Sequence, residues 1–204
     1  PKVNGSELTG KLEIASDLNP ELFRPGDSER DYGIKVHQGD IITEKLDLAE
    51  YAAQGSSLDR CAVLERHNGT GNVGRALVEG FGLDNGAMAS TVAHDSHNMI
   101  VLGSNEEDMA VAARHLEKTG GGQVVARSGE IAASVELPIA GLMSNNEPEE
   151  VAESLEKVHD AVSDLGASLP QPMMILTSLA LAVIPEVRLT DKGLVDVNNQ
   201  EIIH

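Results

Sequence analysis

The aromatic content of this chain restricts the kind of hydrophobic core that it can build. Two phenylalanines, two tyrosines and no tryptophan occur in 204 residues, although 41% of the residues are hydrophobic. The core must therefore consist mainly of Val, Ile, Leu, Ala and Met side chains. The same scarcity argues against a protein that binds single-stranded nucleic acid, because such proteins stack bases on aromatic side chains.

The charge of the chain excludes further classes of partner. Acidic residues outnumber basic ones by 33 to 15, which gives a formal net charge of −18 at pH 7. A polyanion such as DNA or RNA, or an anionic membrane surface, is repelled by this charge. We therefore expect neither a nucleic acid nor a membrane as a partner.

Cysteine usage and hydropathy bear on the compartment. Cys61 is the single cysteine, so no internal disulfide can form, and a reducing compartment such as the cytoplasm is expected. Because Cys61 opens an apolar stretch that runs to Leu64, the pattern favours core packing over a nucleophilic thiol. No signal peptide and no apolar run of about 18 residues is recognisable, so neither export nor membrane insertion is expected.

Strand and helix patterns alternate along the chain. They predict a layered α/β or α+β domain with a mixed sheet, packed helices and a mainly aliphatic core. Capped amphipathic patterns predict helices near residues 105–118 and 147–165, and weaker patterns predict helices at 73–80 and 173–184. Strands are predicted at 34–36, 61–64, 86–93 and 99–102, in a hairpin over 123–137, and in two short strands within 186–197.

The first quarter of the chain differs in composition from the rest. Residues 1–33 are polar and loop-rich, with Pro20 and Pro25, and are expected to provide no element of the core. We predict that residues 1–59 form a polar arm or linker with short strands, and that residues 60–204 form the main domain.

A glycine-rich loop follows the apolar stretch at 61–64. Gly69, Gly71 and Gly74 fit the pattern G-x-G-x-x-G, in which backbone amides at a helix start can bind a dinucleotide pyrophosphate. Four polar residues separate the predicted strand from the first glycine, and no acidic residue ends a second strand about 20 residues further on. Both a dinucleotide site and a structural or substrate-side turn therefore stay open, with the turn favoured.

Two polar segments follow apolar strands and are candidates for chemistry. The first is His94-Asp95-Ser96-His97-Asn98, and the second is Glu65-Arg66-His67-Asn68. Loops at strand ends often display reactive groups on a rigid scaffold, and histidine can bind metals or transfer protons near pH 7. The alternative is that Asp95 and Asn98 only cap a turn. Both loops are expected at one edge of the same sheet.

Several segments together resemble the C-terminal domain of bacterial adenine deaminases. They are Glu65-Arg66-His67 with Gly69-Thr70-Gly71-Asn72, the stretches 78–83 and 86–98, then 105–110, 120–122, 137–144 and 184–196. The specific part of the resemblance covers about residues 60–197, and its segments keep the same order and spacing.

The resemblance implies a function that the residue patterns alone do not. Members of this family hydrolyse adenine to hypoxanthine and ammonia for purine salvage. Their preceding amidohydrolase-type barrel holds a pair of divalent metals, manganese or iron, and this chain shows neither the His-x-His motif of such barrels nor the zinc deaminase signature. We therefore expect adenine as the substrate, the barrel as a partner, a homo-oligomer, and no metal ligand in this chain.

The same resemblance suggests roles for the polar loops. His94, Asp95 and His97 are the candidate catalytic residues, and Ser96, Asn98, Arg66 and His67 are the candidate substrate-binding residues. Three hypotheses remain: a domain that completes and covers a hydrolase active site, a purine- or nucleotide-binding module without turnover, and an oligomerisation domain.

Overall fold

The computed structural model describes residues 2–3, 6–7, 12–52 and 58–203. Its strands are β1 (Lys2–Val3), β2 (Ser6–Glu7), β3 (Tyr32–Val36), β4 (Thr43–Asp47), β5 (Asp59–Leu64), β6 (Val73–Glu79), β7 (Ala87–Ser90), β8 (Met99–Gly103), β9 (Gly122–Arg127), β10 (Glu130–Glu136), β11 (Val187–Thr190), β12 (Gly193–Asp196) and β13 (Glu201–Ile203). Its α-helices are α1 (Leu48–Ala52), α2 (Glu106–Thr119), α3 (Pro148–Asp164) and α4 (Pro172–Ser178), and short 3₁₀ turns cover Pro20–Phe23 and Asp27–Arg30.

An eight-stranded mixed sheet organises the domain. Its strand order is β10-β9-β7-β8-β5-β6-β3-β4, and β11, β12 and β13 form a separate three-stranded sheet. Within the described ranges, β3 and β6 are the one parallel pair, and the other neighbours are antiparallel. Because hairpins rather than crossover helices connect most of these strands, the fold is α+β.

Both faces of the large sheet are covered, which explains the continuous apolar runs of its central strands. In β5, Cys61 and Val63 face a core that α3, α4 and the small sheet share. Ala62 and Leu64 alternate with them and face a second core, which α2 covers. The two cores are aliphatic as expected, and the helices predicted near 105–118 and 147–165 are confirmed as α2 and α3.

The helix predicted over residues 73–80 is wrong, because this segment is strand β6. Buried and partly buried residues alternate strictly along it, with Gly74, Ala76 and Val78 buried. The segment pairs with β5 from Leu64↔Val73 to Asp59↔Val78 and also lies beside β3. Arg75, Ala76 and Leu77 favour a helix locally, but strand pairing on both sides overrides that preference.

The N-terminal region contributes more to the core than its composition predicts. Phe23 is fully buried in the core beneath α2, so the expectation that residues 1–33 provide no core element is wrong. β3 and β4 join the large sheet, while the domain boundary near residue 59 stays a prediction.

The helix predicted over residues 173–184 is shorter than expected, since α4 ends at Ser178. Among the described residues, no helix combines the length and apolarity needed to cross a bilayer.

Candidate functional site

The two polar segments singled out from the sequence meet at one edge of the large sheet. Residues 65–72 connect β5 to β6, and residues 91–98 connect β7 to β8. β5 and β8 are antiparallel neighbours, and Leu64 pairs with Met99, so both loops leave the sheet at the same end. The expectation that the loops share one edge is therefore confirmed. We call residues 91–98 the histidine loop and residues 65–72 the glycine loop.

Arg66 and His67 of the glycine loop hold the main chain of the histidine loop. The Nε–H of Arg66 donates to the carbonyl oxygen of His97, and its Nη2 donates to that of Ala140 over 3.0 Å. The Nε2 of His67 lies 2.7 Å from the carbonyl oxygen of Ser96. Because a carbonyl only accepts, this nitrogen must carry the proton. Both side chains, expected to contact substrate, thus bind backbone carbonyls.

The side chains of the histidine loop differ in their exposure to solvent. His94, Asp95 and Ser96 are exposed, His97 is half-buried, and Asn98 is buried. Asp95 and His97 have positive φ angles of 62° and 49°. This left-handed conformation costs a non-glycine residue about 1–2 kcal/mol, so the tertiary hydrogen bonds to this loop must offset strain.

The surroundings of His97 favour the neutral form of its imidazole. Burial lowers the pKa of this group, the nearby Arg66, His67 and His94 side chains lower that pKa further, and Asp95 opposes them. The Nδ1 atom of His97 is buried and has no hydrogen-bond partner within the described part of the chain. A neutral imidazole with an unused nitrogen can accept a proton or a hydrogen bond.

Glu65 organises the glycine loop, a role that the sequence did not reveal. Glu65 is 5% exposed, and its carboxylate accepts hydrogen bonds from the N–H groups of His67, Asn68 and Thr70 and from the Thr70 hydroxyl. Burial alone raises the pKa of this carboxyl, but the hydrogen bonds outweigh it and lower the pKa to about 2. The only early sign was an acidic residue directly after a buried strand.

The same contacts exclude the dinucleotide fingerprint for the glycine loop. In that fingerprint, loop amides face a pyrophosphate and a helix follows. Here three of the loop amides face the Glu65 carboxylate, and strand β6 follows. The Glu65 carboxylate occupies the amides that would bind a pyrophosphate, so the loop is a turn and not a dinucleotide site.

Replacing Glu65 by Gln is expected to destabilise the protein by about 2 kcal/mol at pH 7, because hydrogen bonds to a charged group are stronger than those to an amide. The pKa of this carboxyl is lowered on folding, so its contribution is complete above its ordinary pKa and is lost as the pH falls toward 2. Urea unfolding of both proteins at pH 7 and near pH 3 measures this. A difference in stability that does not shrink at the lower pH would contradict the role given to the charge.

Two further segments complete the edge, and the sequence interpretation missed both. The carboxylate of Asp191, in the turn between β11 and β12, accepts from Nδ2 of Asn98 over 3.3 Å and from Nδ2 of Asn72 over 3.2 Å. The hydroxyl of Thr91 donates to the carbonyl oxygen of Gly141 over 2.6 Å, which draws the loop after β10 to the same edge. These partners are far apart in the sequence, so no local pattern could identify them.

The site is therefore a cluster of polar loops on a rigid sheet edge. It offers exposed groups that can donate, accept or transfer protons, and it contains the side chains of Glu65, Arg66 and His67, which hold the loops through hydrogen bonds. Within the described ranges, no group of three or more His, Cys, Asp or Glu side chains is arranged to hold a metal ion.

Comparison with known proteins agrees with the resemblance seen in the motifs. A family model described as "Adenine deaminase C-terminal domain" matches residues 40–201. An adenine deaminase of Dehalococcoides mccartyi is 46% identical over 177 residues, which cover 83% of this chain and 31% of that protein. Adenine deaminase 2 of Carboxydothermus hydrogenoformans is 45% identical over 197 residues, which cover 92% of this chain and 34% of that protein. The chain thus spans about a third of the length of the curated relatives it matches.

Proposed function

Because the chain belongs to the adenine deaminase C-terminal domain family, we propose that it is part of an enzyme that hydrolyses adenine to hypoxanthine and ammonia in purine salvage. The relatives are about three times as long as the matched segment. By the complete enzyme we mean this chain joined to, or expressed with, the part of such a relative that it does not match. In this proposal the chain completes and covers an active site whose remaining parts lie in that other portion.

This role rests on a contrast between two sets of side chains in the site. One set binds the backbone of the histidine loop, and the other is exposed to solvent. Arg66 and His67 fix the histidine loop through its carbonyls, while His94, Asp95 and Ser96 project into solvent. A rigid loop with exposed proton-transferring groups is suited to contact a substrate that another part of the protein binds. We assign proton transfer to His94, Asp95 and His97, and substrate contact to Ser96. Asn98, expected from the sequence to contact substrate, is buried and bonded to Asp191, so in this proposal it helps to hold the loop.

The donor set of the described residues does not fit a divalent metal centre, because no three His, Cys, Asp or Glu side chains among them are grouped to hold an ion. We therefore assign manganese or iron, and the amidohydrolase-type barrel that would bind it, to the other portion of the complete enzyme. Arg66 and His67 act in this proposal by holding the loop.

Replacing His94 or His97 by Ala in the complete enzyme is expected to lower turnover of adenine about 100-fold, because general acid–base groups contribute about 10²–10⁴ to a rate. Ammonia release, metal content and circular dichroism are measured together on each variant. His159→Ala is the matched control, since His159 is exposed on α3 and should leave turnover unchanged.

The same variants separate the competing roles. Loss of turnover with intact fold and metal content supports the proposed role of the loop. Loss of subunit assembly instead would make this an oligomerisation domain. Adenine affinity in the 204-residue chain alone, with full turnover in both histidine variants, would favour a purine-binding module.

A further inference from the structure

We infer that Asp191 is a positioning residue, which sets the geometry of the histidine loop through the side chain of Asn98. The inference deepens the proposed function and rests on it for any effect on catalysis. Asp191 lies in the turn between β11 and β12 of the small sheet, and its carboxylate binds one side-chain amide from each of the two site loops. The Asp191 side chain thus joins the histidine loop, the glycine loop and the β11–β12 turn.

The turn that carries Asp191 is held in place by hydrogen bonds and by packing against β6. The Thr190 hydroxyl donates to the carbonyl oxygen of Gly193 over 3.1 Å and accepts from the N–H of Lys192 over 3.2 Å. The turn also lies directly on β6 at Gly74, where an added Cβ would overlap the carbonyl oxygen of Thr190. Backbone packed against backbone cannot shift easily, so the carboxylate has a fixed position relative to the sheet.

The histidine loop needs such an anchor. Its left-handed residues Asp95 and His97 store strain, which contacts with other segments help to balance. Arg66 and His67 bind the carbonyls of His97 and Ser96. Asp191 adds a contact from the turn between β11 and β12, and it acts at Asn98, the last residue before β8.

The contact also decides the orientation of the Asn98 amide. Only the NH₂ group can donate to a carboxylate, so Asp191 fixes Nδ2 toward itself. The Oδ1 atom then points elsewhere and, among the described residues, has no hydrogen-bond partner. The Nδ1 atom of His97, one residue earlier in the chain, is likewise buried without a hydrogen-bond partner among the described residues. Asp191 therefore fixes the orientation of the Asn98 amide, one residue after the His97 to which we assign proton transfer.

Exchanging the donor and the acceptor tests this inference in the 204-residue chain. Asn98→Asp places two carboxylates together, and Asp191→Asn removes the charged acceptor. In the double variant, the new amide at position 191 donates to the new carboxylate at position 98 and can still accept from Asn72. Hydrogen exchange is followed by mass spectrometry on peptides that cover residues 91–98 and, as a reference, α2.

Each single variant is expected to accelerate exchange in the histidine loop about tenfold, while exchange in α2 stays unchanged. The double variant should restore slow exchange. Lys192→Ala is the matched control, because it alters the charge of the same turn but leaves the carboxylate in place. Unchanged exchange in both single variants, or no restoration in the double variant, would overturn the inference.

The complete enzyme then separates this inference from the proposed function. Asp191→Asn should lower kcat/KM for adenine about tenfold, and Lys192→Ala should not. If loop exchange responds and is restored as described while kcat/KM stays at the original value, the positioning role stands and the proposed catalytic role of the loop is wrong. If exchange does not respond, Asp191 is not a positioning residue, whatever the activity.

Discussion

The 204-residue chain alone is expected to release no ammonia from adenine above the rate in buffer, even with added manganese. The chain offers the proton-transferring residues His94, Asp95 and His97, and such groups supply about 10²–10⁴ in rate. Complete enzymes reach accelerations of at least about 10⁶. The difference must come from a metal centre and a substrate pocket, which we assign to the other portion of the enzyme.

Co-expression with the unmatched portion of the Carboxydothermus hydrogenoformans relative should supply what is missing. Ammonia release should then rise to at least about 10⁶ times the rate in buffer. That portion expressed without this chain is the control, and we expect it to be much less active than the pair. Substantial turnover by the 204-residue chain alone would overturn this division of the chemistry.

Replacing Gly74 by Ala is expected to destabilise the protein by at least about 3 kcal/mol, near the upper end for overpacked sites. The new Cβ would overlap the carbonyl oxygen of Thr190 and lie 2.8 Å from the amide nitrogen of Gly193. Both obstacles are backbone atoms, so the β11–β12 turn would have to move away from β6. Urea unfolding, followed by circular dichroism, measures the loss.

Gly26→Ala provides the comparison for Gly74. A Cβ at Gly26 would lie 3.4 Å from the nearest atom, an oxygen of Glu29, and the φ of Gly26 is −72°, which any residue adopts. Its stability should therefore change by less than about 0.5 kcal/mol. Equal stability of the two variants would show that the turn does not press on β6 as described.

The contacts at the site show why part of it could be foreseen. His94 to Asn98 and Glu65 to Asn68 are polar runs directly after buried strands, and antiparallel neighbours bring such runs to one edge. The roles within the runs could not be foreseen. Whether Arg66 faces substrate or a carbonyl depends on the position of His97 and Ala140, which lie 31 and 74 residues away along the chain.

Local sequence by itself determined the well-capped helices, the buried central strands and the aliphatic composition of the core. Asn105 caps α2 and Gly120 ends it in a left-handed conformation, and both signals act within one helical turn. The family membership was also readable, because the motifs keep their order along the chain.

Tertiary structure alone decided the strand at β6, the burial of Phe23 and the joining of the site loops by Asp191. In each case the deciding partner is distant in sequence: β5 and β3 for β6, α2 for Phe23, and Asn98 and Asn72 for Asp191. Helical preferences amount to less than about 1 kcal/mol per residue. Strand pairing and burial of whole side chains exceed this, and they depend on contacts that no local pattern encodes.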